Sequence, residues 1–548
     1  MIYQSPLQML YRWEKETPEK VYLSQPINGQ AHTWTWKQTA DEVRRMAAAI
    51  KAMNLPAQSN IAMVSKNCAH WILCDLAIMM SGHVSVPLYP NQSAAGMKQI
   101  LEHSGSVLLF VGKLDDWNAM KAGVPQGLKC ISFPHYPHTQ YPNWSELIQQ
   151  HEPIQEDVLR DASELASIIY TSGTTGMPKG AMHTFNNFSF ATENAVAYLK
   201  IGQQDRFFSY LPLSHIAERL LVEMGSLYAC GHVSFAETLD SFAANLAAAK
   251  PTVFLGVPRI WTKFQQGVLA KLPQSKLNVL LKIPFVSGFI KKKIRTGLGL
   301  NEVINVFTGA APTPVSLINW FATIGLHIQE AYAATENCCY SHVTINSNIK
   351  IGYVGQALPK CDVKLGSDKE ILIKHDGLMT GYYKEPQLTK EAFDENGFLK
   401  MGDEGYIDSE GFLKITGRVK DLFKTSKGKY VAPSPIEMLV AGNSDIEQVC
   451  VVGTGLPQPI ALVVLSENGK KKDAAQLSAT FEDFIKTINP QLDHHEQLDK
   501  LVVLKGDWTL ENNLLTPTLK IKRNELEKKY AANYEIWQGQ KGVVVFEQ

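Results

Sequence analysis

Eleven residues, Tyr170-Thr-Ser-Gly-Thr-Thr-Gly-Met-Pro-Lys-Gly180, hold three glycines, four Thr or Ser hydroxyls and one lysine. They follow the apolar run Leu165-Ala-Ser-Ile-Ile169, which predicts a buried strand. Glycine lets backbone amides turn toward oxygens that a side chain would block. A donor-rich loop at the end of a strand therefore suits a polyphosphate. A Walker P-loop is excluded, because Pro178 precedes Lys179 and Gly180 follows it, against the pattern G-x-x-x-x-G-K-[ST]. A plain Gly/Ser/Thr linker is the competing reading, and its place between an apolar strand and a second ordered segment argues against it.

Further segments of mixed polar and glycine character follow in order: Leu211-Pro-Leu-Ser-His-Ile-Ala-Glu-Arg219, Phe254-Leu-Gly-Val-Pro-Arg-Ile-Trp261, Thr308-Gly-Ala-Ala-Pro312, Gln329-Glu-Ala-Tyr-Ala-Ala-Thr-Glu336, Gly402-Asp403, Ile415-Thr-Gly-Arg-Val-Lys-Asp421 and Pro517-Thr-Leu-Lys-Ile-Lys-Arg523. Together with the first loop they resemble the adenylate-forming superfamily, which unites acyl-CoA synthetases, luciferases and peptide-synthetase adenylation domains. Segments 211–219 and 254–261 resemble long-chain fatty acid–CoA ligases in particular, and the resemblance spans nearly the whole chain.

That resemblance implies ATP-dependent activation of a carboxylic acid to an acyl adenylate, then transfer to CoA with release of AMP and diphosphate. A carboxylate and a triphosphate repel each other, so such a site must supply positive charge and fixed donors. By resemblance, Thr171, Ser172, Gly173, Thr174, Thr175, Gly176 and Lys179 hold the β- and γ-phosphates, though Lys179 also reads as a solvated lysine. Glu336, with Thr175, would hold Mg²⁺, which favours oxygen ligands, and Thr335 would contact the α-phosphate. Tyr332 would stack on adenine, with Gly309, Ala310 and Ala311 lining its other side; a core tyrosine is the alternative. Asp403 would accept from the ribose hydroxyls, or else serve as a turn residue. Arg418 would reach the ribose or phosphate. Lys520 would bridge carboxylate and α-phosphate as a compact cation, while Lys522 and Arg523 read as solvated or as docking aids. His215 would lie near the carboxylate, with a structural histidine as the even alternative. Trp261 and Arg259 would border the acyl tunnel, or Trp261 would be core. Gly428, in Ser426-Lys-Gly-Lys429, would pass close to the pantetheine of CoA. The chain departs from the family with Ala333 beside the acyl channel, Met401 before Gly402-Asp403, and Lys427 where many relatives have Gly. Loading of a carrier protein, a β-lactone-forming or luciferase-like activity, and a catalytically silent nucleotide binder remain as other readings.

These residues need strands to present them. A βαβ rhythm runs from a strand at 33–36, through a helix behind a capping box at Thr39 and Glu42, to strands at 61–64, 84–88, 106–111 and 128–132. Strands at 207–210, 253–257, 303–307 and 328–332 each end at a motif, as sites in open α/β sheets do. A glycine- and acid-rich stretch, 369–417, predicts a small β subdomain. The fold expected is α/β: a large N-terminal domain, 1–417, of two βα-layered sheets plus that subdomain; a hinge at 418–421 around Lys420; and a smaller α+β C-terminal domain, 422–548. The resemblance implies that the C-terminal domain is mobile and alternates between two poses.

At 548 residues the chain exceeds one compact core. Its 53 basic and 53 acidic residues leave no net charge to gather nucleic acid. Eight scattered cysteines lack zinc-ligand spacing and point to a reducing compartment. No signal peptide or spanning segment is visible at sequence level, so a cytoplasmic protein is expected. The basic, apolar segment Leu281–Arg295 suggests weak peripheral contact with the inner face of a membrane, against the plainer reading of solvated lysines. Pro284 and Gly288 are expected to interrupt any long helix there. Oligomeric state and acyl chain length have no reading in the sequence.

Overall fold

The computed structural model describes residues 3–136, 140–171, 178–516 and 518–548. Short apolar strands linked by amphipathic helices build two large sheets in the N-terminal part. One has seven strands, in the order Gly381–Tyr382, Lys179–Thr184, Leu165–Thr171, Val84–Leu88, Asn60–Val64, Leu108–Val111, Lys129–Ser132. Asn60–Val64 and Val84–Leu88 are buried at every position, as expected of parallel strands covered on both faces. The second has nine strands and runs from Gln356–Ala357 through His342–Val343, Gln329–Tyr332, Asn305–Thr308, Val253–Gly256, Arg206–Ser209 and His232–Phe235 to the hairpin Val21–Ile27 and Gln30–Thr35. The wholly buried helix Ala69–Met80 belongs to the apolar core shared by both sheets.

A four-stranded antiparallel sheet, Asp362–Leu365, Glu370–Lys374, Leu399–Ile407 and Leu413–Arg418, forms the small β subdomain. Beyond it lie the hairpin Phe423–Lys424/Tyr430–Val431 and a mixed sheet of Ile446–Val452, Ile460–Leu465, Lys500–Val503 and Val544–Phe546. Two apolar clusters flank that last sheet, and their buried members all come from Phe423 onward. The fold is thus α/β, with a large N-terminal and a smaller C-terminal domain.

Local details differ from the sequence expectation. The first long helix, Trp36–Ala52, begins at an N-cap on Thr35 with Gln38 completing the box, rather than at Thr39 and Glu42. Trp36 is then a buried helix residue stacked on Tyr22. Helices Gln274–Lys282 and Val286–Gly297 break only at Pro284, whose ring cannot continue a helix; Gly288 lies inside the second helix. All eight cysteines are free thiols, six of them buried.

Candidate active site

The phosphate-type loop joins two antiparallel strands. Thr171 pairs with Lys179 and Tyr170 with Gly180, and the Thr171 hydroxyl donates to the Lys179 carbonyl at 3.4 Å. Ser172, Gly173, Thr174, Thr175 and Gly176 lie outside the described residues, so the structure is silent on them. Lys179 extends over the ring of Tyr382, 5.3 Å from its centroid. The Tyr382 hydroxyl donates to Glu336 Oε1 at 2.8 Å, and the Met379 amide donates to the Glu336 carbonyl at 2.8 Å. Strand Gly381–Tyr382 pairs with Met182 and Ala181 beside the loop, so Tyr382 connects the loop lysine to the candidate metal carboxylate. Sequence reading did not single it out; a lone Tyr on a two-residue edge strand carries no local signal.

Glu336 follows strand Gln329–Tyr332 in a turn closed by Asn337. The Asn337 side chain accepts from the Ala334 amide at 2.9 Å and donates to the Met401 sulfur at 3.7 Å. The residue preceding Gly402-Asp403 thereby ties this turn to the next strand. Thr335 is buried within the turn and Ala333 half-buried. Gly309 follows strand Asn305–Thr308, and a Cβ there would lie 3.1 Å from the Ala331 carbonyl oxygen, so the two segments run in close contact. Ala310 adopts φ 65°, and both Ala310 and Ala311 are exposed.

Asp403 and Arg418 are cross-strand partners, and Arg418 Nε donates to Asp403 Oδ1 at 2.9 Å. Tyr332 donates its hydroxyl to Asp403 Oδ2 at 2.8 Å. Each oxygen takes one hydrogen bond and keeps further acceptor capacity. Burial first, then the Asp403 charge, pushes the Tyr332 phenol well above its ordinary pKa, so it stays a donor.

Lys520 arrives from the C-terminal domain. Its loop closes on itself: Leu515 bridges Ile521, the Thr516 hydroxyl accepts from the Lys520 amide at 3.1 Å, and Leu519 takes φ 60°. Pro517 lies outside the described residues. Lys520 is exposed to solvent, yet protein surrounds its amine closely enough to desolvate it in part. That desolvation and the Arg418 charge lower its pKa, opposed by Asp403 and Glu336. His215, half-buried, accepts from the Ala217 amide at Nδ1 (3.2 Å); burial, then Lys520, brings its pKa down to about 4, so it is neutral near pH 7. Glu336, Asp403, Arg418, His215 and Lys520 thus share one electrostatic neighbourhood.

Other residues fall elsewhere. Gly428 sits in an exposed hairpin, and among the described residues no hydrogen bond or ion pair joins that hairpin to Glu336, Asp403 or Lys520. Arg523 is not solvated: it pairs with Glu437 at 2.5 Å, donates to the Val451 carbonyl at 2.6 Å and lies 3.8 Å from Asp421. Lys522 donates to the Asn513 side chain at 2.5 Å. Trp261 is fully buried against Gly256, donating to its carbonyl at 2.9 Å, and Arg259 pairs with Glu447 at 2.6 Å.

Two polar clusters behind the site carry no assigned role in the sequence reading, although the motif 211–219 contains both Glu218 and Arg219. Glu218, buried, accepts at Oε1 from the Tyr210 amide (3.0 Å), Ser209 (3.1 Å) and Asn67 (3.3 Å). Asn67 also donates to the Leu211 carbonyl at 2.6 Å and accepts from the Leu213 amide at 3.2 Å. This clamp fixes the segment that carries His215. Burial raises the Glu218 carboxyl to about 8. Next to it, Arg219 is held by both oxygens of Asp75, at 2.7 and 2.5 Å, and by Ser167 at 2.5 Å.

As to a metal, the described residues contain no cluster of three His, Cys, Asp or Glu side chains. Among the described residues the carboxylates here are Glu336 and Asp403, and Asp403 is engaged by Tyr332 and Arg418; a single carboxylate at Glu336 suits Mg²⁺ arriving with a nucleotide and bound mainly through phosphate oxygens.

Models of two families match the chain: AMP-binding enzyme over residues 10–383 and AMP-binding enzyme C-terminal domain over residues 420–536. Long-chain-fatty-acid–CoA ligase FadD15 of Mycobacterium bovis is 28% identical over 578 residues, covering 96% of each chain. Long-chain-fatty-acid–CoA ligase heimdall of Drosophila melanogaster is 29% identical, covering 89% of this chain and 80% of the relative. Among solved structures, the A domain of a carboxylic acid reductase from Segniliparus rugosus, in complex with AMP and a co-purified carboxylic acid, superposes with TM-score 0.80 at 21% identity, covering 97% of this chain and 94% of the other. An o-succinylbenzoate CoA synthetase from Bacillus subtilis, in complex with its acyl-adenylate intermediate, does so with TM-score 0.75 at 22% identity, covering 96% and 99%.

Proposed function

The chain belongs to the AMP-binding enzyme family of ATP-using, adenylate-forming ligases, and from that premise we propose that it is a long-chain fatty acid–CoA ligase. The observation that carries the reading is the hydrogen-bonded set Tyr382–Glu336 and Tyr332–Asp403–Arg418, with Lys520 of the C-terminal domain within electrostatic reach of Glu336 and Asp403. The relatives named as long-chain ligases support the choice of substrate class.

In the first step a fatty-acid carboxylate oxygen attacks the α-phosphorus of ATP. The bond to the oxygen bridging α- and β-phosphorus breaks, and diphosphate leaves. Lys520 sits between the two repelling anions. Lys179, Thr171 and the loop 172–176 take the β- and γ-phosphates, and Glu336 and Thr175 would hold Mg²⁺, which would neutralise phosphate charge. Thr335 contacts the α-phosphate. Asp403, oriented by Tyr332 and Arg418, accepts from the ribose, and Gly309, Ala310, Ala311 and the Tyr332 ring enclose adenine. In the second step the CoA sulfur attacks the acyl carbon, its proton passes to solvent or a nearby base, and AMP leaves. The C-terminal domain, 422–548, turns about 418–421 for this step and brings Gly428 to the pantetheine arm. His215, neutral, can stay close to both the carboxylate and Lys520 without adding a second cation.

Eight free thiols favour a reducing compartment, and we place the enzyme in the cytoplasm. The test is pyrophosphate exchange across a panel of carboxylic acids, followed by CoA addition. Exchange is expected with long aliphatic acids, with AMP release completed only by CoA. A thioester formed on a carrier protein but not on CoA, or a CoA-independent product, would reassign the second step. Lys520→Ala is expected to slow adenylation by about a hundredfold or more, as for loss of one preorganised cation, and to affect thioester formation from supplied acyl adenylate much less.

A further inference from the structure

Between Ser241 and Asn301 the chain has ten Lys and Arg residues and no Asp or Glu, although the whole chain balances 53 against 53. Part of this charge surrounds a helical hairpin, Gln274–Lys282 and Val286–Gly297, joined through Ile283-Pro284-Phe285. The inner edge of the hairpin packs on the core: buried Leu277 and partly buried Leu281, Ile290 and Ile294 join one cluster with Phe254, Trp261 and Phe264.

The tip is not. Phe285 is 97% exposed and takes φ 64°, a conformation disfavoured for a bulky side chain. One turn on, Phe289 is 66% exposed, and Ile283 and Val279 are 42% and 61% exposed. No residue of the second helix is buried. Lys276, Lys282, Lys292 and Lys293 are exposed and have no ion-pair partner among the described residues, whereas the nearby Arg259 and Lys250 are each matched to an acid.

Water rewards none of this apolar surface, so an occupant must. A second copy would bring the same cations face to face, and like-charge contact opposes that pairing. Nucleic acid has no use for Ile283 and Val279. A lipid surface matches both parts, because apolar side chains enter the headgroup–acyl boundary while lysines meet anionic headgroups. We propose that this hairpin tip is a membrane anchor, which inserts Ile283, Phe285 and Phe289 into the interface of an anionic bilayer and seats the surrounding lysines on lipid phosphates. Its inner residues share one apolar cluster with Phe208 and Tyr210, which lead into the segment bearing His215. On the ligase reading given above, the anchor sets the acid-binding side of the enzyme next to the lipid that holds its substrate.

The test is co-sedimentation of the full chain with phosphatidylglycerol-containing vesicles and with pure phosphatidylcholine vesicles. Binding is expected only to the anionic vesicles, and to weaken at least about tenfold as salt rises and screens the lysines. Phe285→Ser/Phe289→Ser and Lys291→Glu/Lys292→Glu/Lys293→Glu should each lower partitioning at least about tenfold, with unchanged thermal midpoint and unchanged turnover of a short, water-soluble acid. Wild-type chain that stays in the supernatant with anionic vesicles overturns the proposal. So does a double-Phe variant that sediments as wild type, or a hairpin whose variants instead abolish self-association or RNA binding. Sedimentation is read without turnover, so a chain that binds vesicles but never releases diphosphate refutes the ligase reading alone.

Discussion

At Glu336 a single hydroxyl decides how a candidate metal carboxylate is aimed. Tyr382 donates to Oε1 and leaves the other oxygen for a cation. Tyr382→Phe keeps the ring beneath Lys179 and deletes only that bond. A hydrogen bond to a charged group is worth about 1.5–3 kcal/mol, so kcat/KM for MgATP should fall roughly ten- to a hundredfold, seen as a raised KM; unchanged kinetics would detach Tyr382 from the site. Glu218 carries a different signature. Burial holds its carboxyl at about 8, above the ordinary 4.5. Between those values the folded chain keeps a proton that the unfolded chain has released, so stability declines as pH rises through that window and levels off above it. His215 has the opposite sign. Held down at about 4, it contributes stability above pH 6.5 that is lost as pH falls toward 4. Urea midpoints from pH 5 to 9 should show the Glu218 decline in wild type and lack it in Glu218→Gln, which keeps the acceptor at Oε1 but cannot ionise. Neither Tyr382 nor the Asn67–Glu218 clamp was legible as a site residue, because each acts through a partner far away in the chain.

Where strands end at a motif, sequence and structure agree closely: the strands expected at 253–257 and 328–332 are Val253–Gly256 and Gln329–Tyr332. The polar segments follow apolar runs whose period and length announce them. What the sequence hid is how the layers are fastened. Arg219 comes from a π-helical turn, Arg219–Met224, Asp75 from the buried helix Ala69–Met80, and Ser167 from the seven-stranded sheet. All three side chains are buried, and composition alone would place such charges on the surface. Glu223 lies 3.3 Å from Arg219 Nε, and burial, then Asp75, raises its pKa well above the ordinary range, so it is neutral. The arginine therefore balances one carboxylate, Asp75. Asp75→Ala would strand the guanidinium and should cost about 3–5 kcal/mol in denaturant unfolding. Glu223→Gln replaces one neutral acceptor by another and should cost about 1 kcal/mol or less. Equal losses in the two variants would contradict this division of charge.

Across the whole molecule, the reading of domain 422–548 as a turning element depends on how firmly its present pose is held. The contact between Arg259, on helix Pro258–Lys271, and Glu447, on strand Ile446–Val452, is a 2.6 Å ion pair whose arginine is about half exposed. Such a pair is worth about 0–1 kcal/mol, a latch weak enough to open in each catalytic cycle. In this pose Lys520 feels the charges of Glu336 and Asp403, while Gly428 remains in its exposed hairpin. On the ligase reading, this arrangement would present the groups proposed for adenylation and withhold those proposed for thiol transfer. Glu447→Ala alone should change neither half-reaction more than about fivefold, the ceiling set by a surface pair. Arg259→Cys/Glu447→Cys, joined by a short reducible thiol crosslinker, should hold the pose shown. The locked enzyme is expected to release one equivalent of diphosphate and retain its acyl adenylate, then to form thioester only after the linker is reduced. Thioester formation at an undiminished rate while the crosslink is intact would mean that both steps run from a single arrangement, and the hinge at 418–421 would lose its proposed purpose.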